Sequence, residues 1–219
     1  SAHLNASAGG TVNAGGIQIG SDVGVFGKGV AGFTSTSQLT QVTPPSLVIR
    51  GTGTSVNLNA DGFVLDAETQ EPLGPLARLV ISNDGQISVL EGGQLNANAP
   101  SPISGGANTI IGDLLGSSAR VLVDGAGSAL RTGGTLLIGG DGADPQNGAQ
   151  NGTATLQALG GAKLFSDRVA VSGGVNNPAI TDPNIRTQGL AQIADAGTVW
   201  NMNKLAVAGT TRSVGTLQI

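Results

Sequence analysis

Apolar side chains recur along this chain at alternate positions, in pairs that each precede a corner of small residues: Leu4/Ala6, Leu47/Ile49, Ile87/Val89, Val121/Val123 and Ala191/Ile193. Period-two spacing is strand behaviour, with alternate side chains turned to one core. Two or three positions after each corner glycine comes a second apolar column: Val12, Val56, Leu95, Leu130, Leu164 and Trp200. A third group follows at Ile17/Ile19, Phe63/Leu65, Thr109/Ile111, Leu136/Ile138, Val169/Val171 and Leu205/Val207, and it tends to close on Gly. With the corner glycine at Gly10, Gly53, Gly93, Gly127, Gly161 and Gly197, the spacings are 43, 40, 34, 34 and 36 residues. A repeat of this length decides the architecture before any local feature does. The fifth unit departs from the pattern: Leu156 lies five residues before Gly161 and Leu164 takes an extra residue, so a bulge is expected there.

Three short strands per unit, joined by tight corners, predict one coil of a parallel β-helix. Each coil leaves N–H and C=O groups unpaired above and below, and only the equivalent strand of the next coil, ~4.8 Å away, can pair them. No coil is stable alone. The predicted fold class is therefore all-β: a right-handed single-stranded parallel β-helix (β-solenoid) of about six coils with loop insertions, its handedness taken from parallel crossovers. The expected coils are 1–20, 47–68, 79–114, 120–140, 153–174 and 191–211, with a seventh starting at 213–219, all in one segment spanning 1–219. Ile19, Leu65, Ile111, Ile138, Val171 and Val207 should form one inward line. Corner glycines are expected where φ is positive. The segments 21–46, 68–78, 97–108, 140–153 and 173–190, rich in Gly, Pro, Asn and Ser, are expected as loops. Four of them follow the third strand, and 97–108 precedes its own. No helical pattern of useful length is present.

Composition narrows the picture. The chain has 37 Gly, five aromatic residues (Phe26, Phe33, Phe63, Phe165 and Trp200) and neither Tyr nor Cys, which suits a narrow core lined by small strands. Mean hydropathy is positive and charged residues make up only 11%, so disorder is not expected. The ten Lys and Arg are scattered singly, without the clustered basic face that nucleic-acid binding needs. No apolar run approaches the ~18 residues of a membrane helix, so membrane insertion of this segment is not expected.

The corners alternate between two types: GTGTSV (51–56), GAGSAL (125–130) and DAGTVW (195–200) against AGGTV (8–12), EGGQL (91–95) and LGGAKL (159–164). The stretch VLVDGAGSALRTGGTLLIGG (121–140), followed by TATLQALGG (153–161), resembles the repeats of bacterial autotransporter passengers and filamentous-haemagglutinin-like large exoproteins. In those families a V-D-G-x-G-S-x-W corner precedes L-x-V-G and then G-x-L-x-I-x-x-G-G. Here GTVW (197–200) supplies the Trp, whereas GAGSAL and GTGTSV lack it. The resemblance covers the whole chain, most closely 120–161. It implies a type V secreted β-helix adhesin, at the cell surface or released, including the two-partner-secreted kind. It also implies partners such as extracellular polysaccharide, a neighbouring cell surface or further copies of the chain. With no secretion cap or membrane barrel recognisable, an internal piece of a longer fibre is the expectation.

Candidate chemistry is sparse. GGDGADPQN (139–147) follows a calcium-binding nonapeptide through its Asp and then fails at Gln146, where an apolar residue belongs. Ca²⁺ in such motifs is shared between turns, so a lone copy reads as a surface turn, with Asp141 and Asp144 as the ligands if metal binds. Asp61, Asp66 and Glu68 with Arg50 and Arg78 are the nearest approach to the paired carboxylates of a β-helix carbohydrate-active enzyme. A solvated edge explains them more simply, so no catalytic site and no cofactor are expected. His3 is the only histidine, which argues against zinc ligation and Ser-His catalysis. Trp200 is expected as a core filler, with sugar stacking as its other reading. Asp124 and Asp195 should accept hydrogen bonds from turn amides. Stacked Asn, Ser and Thr should form polar ladders.

Overall fold

The computed structural model describes residues 3–14, 16–21, 30–34, 46–58, 64–65, 72–73, 79–81, 84–97, 107–112, 118–139, 153–172, 187–208 and 213–219. All the secondary structure among them is β. The first unit comprises β1 (His3–Ala6), β2 (Thr11–Ala14) and β3 (Gly16–Ser21), followed by β4 (Val30–Thr34). The second comprises β5 (Ser46–Arg50), β6 (Ser55–Leu58), the two-residue strands β7 (Val64–Leu65) and β8 (Pro72–Leu73), and β9 (Leu79–Ile81). The third has β10 (Gly85–Leu90), β11 (Gln94–Ala97) and β12 (Ala107–Ile111). Later units have two strands each: β13 (Ser118–Asp124) and β14 (Ala129–Ile138), β15 (Thr153–Leu159) and β16 (Lys163–Val171), β17 (Thr187–Ile193) and β18 (Val199–Val207). β19 (Ser213–Gln218) follows.

The chain alternates between two parallel sheets. The first takes one strand from each unit, in the order β1-β5-β10-β13-β15-β17-β19. The second takes the rest, apart from β7 and β8, which pair antiparallel with each other. Like therefore lies over like. In the first sheet Leu4 pairs with Leu47, then Ile87, Val121, Leu156, Ala191 and Leu217 in turn. The second column runs Val12, Val56, Leu95, Leu130, Leu164, Trp200, as the sequence predicts. Between the sheets lies one core containing Leu47, Ile49, Val56, Ile87, Leu95, Leu130 and their neighbours, closed to solvent.

Several expectations change. The third column runs Ile19, Ile81, Ile111, Ile138, Val171, Val207. Leu65 is not in it: it lies on β7 opposite Pro72, and Ile81 of β9 takes the rung. Leu79–Ile81 thus closes the second unit instead of opening a third coil at 79. The insertion it follows leaves between the second and third strands, as 98–106 does. Ile19, Ile81, Ile111, Ile138 and Val171 are fully buried, while Val207, on the last strand of its sheet, is 41% exposed. Three strands per coil holds only for the first three units, since β14, β16 and β18 each run unbroken through both columns. The segment 21–46, expected as loop, contributes β4, whose pairing with β3 sets Phe33 beside Ile19.

The fifth unit proves regular. Leu156 and Ala158 fill the first column beside Val121 and Val123, and no bulge lies at 161–164. Irregularities fall elsewhere. In β14, Gly133 and Gly134 oppose the single Asp167 between the pairs Thr132–Ser166 and Thr135–Arg168. The register also shifts between Ala107 and Thr109 of β12 and between Ile19 and Ser21 of β3.

The alternating corners are two different turns. In the short one, the N–H of Gly10, Gly93 or Ala162 donates to the carbonyl of Ser7, Leu90 or Leu159 (2.9–3.1 Å). Both central residues have positive φ (Ala8 and Gly9, Glu91 and Gly92, Gly160 and Gly161), as a type I′ turn requires. Gly10 and Gly93 therefore do not supply the left-handed position, which belongs to Gly9 and Gly92. Gly93 is needed for closeness instead, because a Cβ there would come 2.6 Å from the carbonyl oxygen of Ile49. The long corner has one residue more. Its turn closes from Thr54, Ser128 or Thr198 back to Gly51, Gly125 or Asp195 (3.1–3.3 Å).

That extra length brings a hydroxyl over the preceding short corner. The N–H of Gly9 donates to Oγ1 of Thr54 (2.9 Å), that of Gly92 to Oγ of Ser128 (3.0 Å), and that of Gly161 to Oγ1 of Thr198 (2.9 Å). Units are thus clipped in pairs: first to second, third to fourth, fifth to sixth. Ser128 and Gly92 are buried, and the Ser128 hydroxyl also donates to the carbonyl of Asp124 (2.6 Å). Ser128→Ala strands a buried amide and is expected to cost about 1–3 kcal/mol, read as a lowered urea midpoint.

Candidate interaction surfaces

Side chains that point out of the two sheets are stacked by the same register as the core. On the second sheet Asn13, Asn57, Asn96, Arg131, Phe165 and Asn201 form one outward line. The Nδ2 of Asn57 donates to Oδ1 of Asn13 (3.0 Å), and that of Asn96 to Oδ1 of Asn57 (2.8 Å). Arg131 continues the line: its guanidinium donates to Asn96 Oδ1 (3.3 Å) and Gln94 Oε1 (3.2 Å), and lies 4.9 Å from the centre of the Phe165 ring. Amide groups spaced one strand apart satisfy each other along the stack, which is the ladder the sequence predicts. On the first sheet Gln157 accepts from Arg120 and donates to Gln192 Oε1 (2.7 Å).

Residues singled out for chemistry are dispersed. Asp141 and Asp144 lie outside the described residues, as do Asp61, Asp66, Glu68 and Arg78, so neither the calcium turn nor the carboxylate group has a described geometry. Arg50 pairs with Glu91 of the next unit at 3.6 Å, both side chains being more than half exposed, so the pair adds little to stability. His3 Nδ1 is 2.8 Å from Ser46 Oγ on the neighbouring strand. Among the described residues no three His, Asp or Glu side chains gather as a metal site.

Asp195 does what the sequence predicts, its Oδ2 accepting from the N–H of Gly160 (3.0 Å). At Asp124 the acceptor is the backbone carbonyl, which takes the Ser128 hydroxyl (2.6 Å). Trp200 is half-buried over Leu164 and packed against the core, its Nε1 donating to Ser166 Oγ (3.3 Å). Core filling is its role here.

Two surface features escape the sequence reading. Val199, Leu205 and Val207 on β18 and Val214 on β19 are 41–44% exposed, on the strands that end the two sheets. A shallow groove of about 360 Å³ crosses the outer face of β15, β17 and β19.

Among the described residues no helix is long and apolar enough to cross a membrane. Comparison with known proteins gives no match: no family model, curated protein or solved structure is significantly similar to the chain. What the structure defines is the architecture, an all-β stack of parallel strands.

Proposed function

We propose that this chain is a stretch of right-handed parallel β-helix serving as the structural and adhesive rod of a secreted or cell-surface bacterial adhesin. It attaches cells to one another, to matrix polysaccharide or to surfaces, and carries out no catalysis. The observation that supports this most is the strand register. One strand from every unit lies over its equivalent from β1 to β19, and the outward side chains are stacked as regularly as the buried ones. Such a stack grows along one axis, roughly 30 Å for this length at one strand spacing per unit. It presents the same surface chemistry repeatedly along that axis. The resemblance of 120–161 to autotransporter and filamentous-haemagglutinin repeats points to the same use.

Beads coated with the 219-residue chain should adhere to bacterial cells or matrix polysaccharide above the level of beads carrying an unrelated β protein. Equal retention of the two would remove the adhesive reading. Leu205 and Val207, in the third column yet 44% and 41% exposed on the end strand β18, favour a second reading, end-to-end self-association into a filament. A sedimentation coefficient that stays monomeric at millimolar concentration excludes it.

A further inference from the structure

We propose that the groove across β15, β17 and β19 is a binding site for a neutral oligosaccharide chain lying along the stacking axis; this rests on the adhesive reading and gives it a site. Two walls rise from the sheet. One is the outward column Thr153, Gln188, Val214, and the other is Thr155, Leu190, Thr216, each residue paired with its neighbour across strands. The floor between them is the backbone of Ala154 and Gly189, positions that face inward.

The chemistry of the lining selects the ligand. No ionisable side chain lines the groove, so a phosphate, a uronate or a basic peptide would meet no opposite charge. The nearest cation in register, Arg120 beside Thr155, donates its guanidinium to Gln157, outside the groove. Hydroxyls and amides of Thr155, Gln188 and Thr216 have no hydrogen-bond partner among the described residues. Leu190 and Val214 put an apolar surface beside them. A sugar ring has this combination, hydroxyls at its rim and C–H groups on its faces. A peptide lacks a docking mode on this face, because β15 and β17 are paired on both sides and the one free edge is the outer side of β19. Peptide capture by sheets works through such an edge and not across the face where the two walls stand. The walls repeat once per strand at ~4.8 Å, close to the length of one sugar unit, and three strands span about 10 Å. That accommodates two or three rings.

The test is calorimetric titration of the whole chain with a neutral β-linked glucan tetrasaccharide and with a polyuronate of equal length. Saturable binding of the glucan, weakened about tenfold or more in Gln188→Ala/Thr216→Ala by the loss of two hydrogen bonds, supports the site. The control Asn57→Ala, on the other sheet, should bind as the parent does. Both altered side chains are exposed, so the far-ultraviolet spectrum should be unchanged and a folding defect is separable. The proposal is overturned by tighter binding of the polyuronate, by no glucan binding at millimolar concentration, or by equal binding in the double variant. The bead assay reads the adhesive function independently, so attachment without glucan binding sinks the groove alone, and failure of both sinks the rod as well.

Discussion

Gly189→Ala is expected to destabilise the chain by about 3 kcal/mol or more, an unusually large effect for one methyl group. Gly189 sits in β17 where the backbone from two other strand ends crosses the inside of the sheet. A Cβ there would overlap the carbonyl oxygen of Ile138 and come 2.8 Å from the amide nitrogen of Ser172. Both are backbone atoms already bonded to each other, Ser172 N–H donating to Ile138 carbonyl at 2.6 Å. Neither can rotate aside as a side chain could. The same column holds Ala119 and Ala154 in the preceding units, both buried and accommodated. The requirement for glycine is therefore set by the local approach of the third strand, and not by the column as such. Urea unfolding followed by circular dichroism measures the loss, and a midpoint within error of the parent would show that the crossing backbones are not packed as described.

The second large effect is Ile81→Ala. Ile81 is fully buried and in register with Ile19 on one side and Ile111 on the other. Deleting its outer carbons leaves a cavity walled by neighbours that cannot close in without breaking strand pairing, at a cost of about 2–5 kcal/mol. The matched change Val207→Ala, in the same column at 41% exposure, should cost about 1 kcal/mol or less, because much of that side chain is already in water. Comparable losses at the two sites would mean that β18 is covered on its outer side.

Much of this fold is legible from alternation alone. Apart from the fifth unit, whose Leu156 the glycine alignment set out of step, the first two columns pair as the sequence aligns them, from Leu4 to Ile193 and from Val12 to Trp200. One buried face fixes register, so that a slip by one residue would turn every apolar side chain outward. The third column fails once. Phe63/Leu65 has the right alternation in the right place, whereas Leu79-Val80-Ile81 is a continuous apolar run, which carries no parity and does not show which strand it lies beside. Its character has a reason: Val80, like Ile110 and Leu137 on neighbouring strands, is buried although it points away from the main core. The bulge is misplaced for a different cause. Aligning units on a glycine assumes that each glycine has the same part in the turn. Gly161 holds the turn position of Gly92, not of Gly93, and the apparent extra residue disappears.

Of the candidate surfaces, the ladders are visible in the sequence as Asn13, Asn57 and Asn96, each the residue after the second apolar column (Val12, Val56, Leu95), and the hydrogen bonds between them follow from strand spacing. The groove is not. Its walls are ordinary Thr, Gln and Leu positions, and only their juxtaposition across β15, β17 and β19 makes them a lining.

The sequence by itself determined that the chain is built of repeated apolar strands with two alternating corners, since both follow from local chemistry: side-chain alternation and the glycine positions that a reversed turn demands. Tertiary structure decided which strand stands on which rung, where the bulge falls and which glycines are sterically obligatory. Those depend on backbone from distant units meeting at close range, and that distance is not encoded by any residue in isolation.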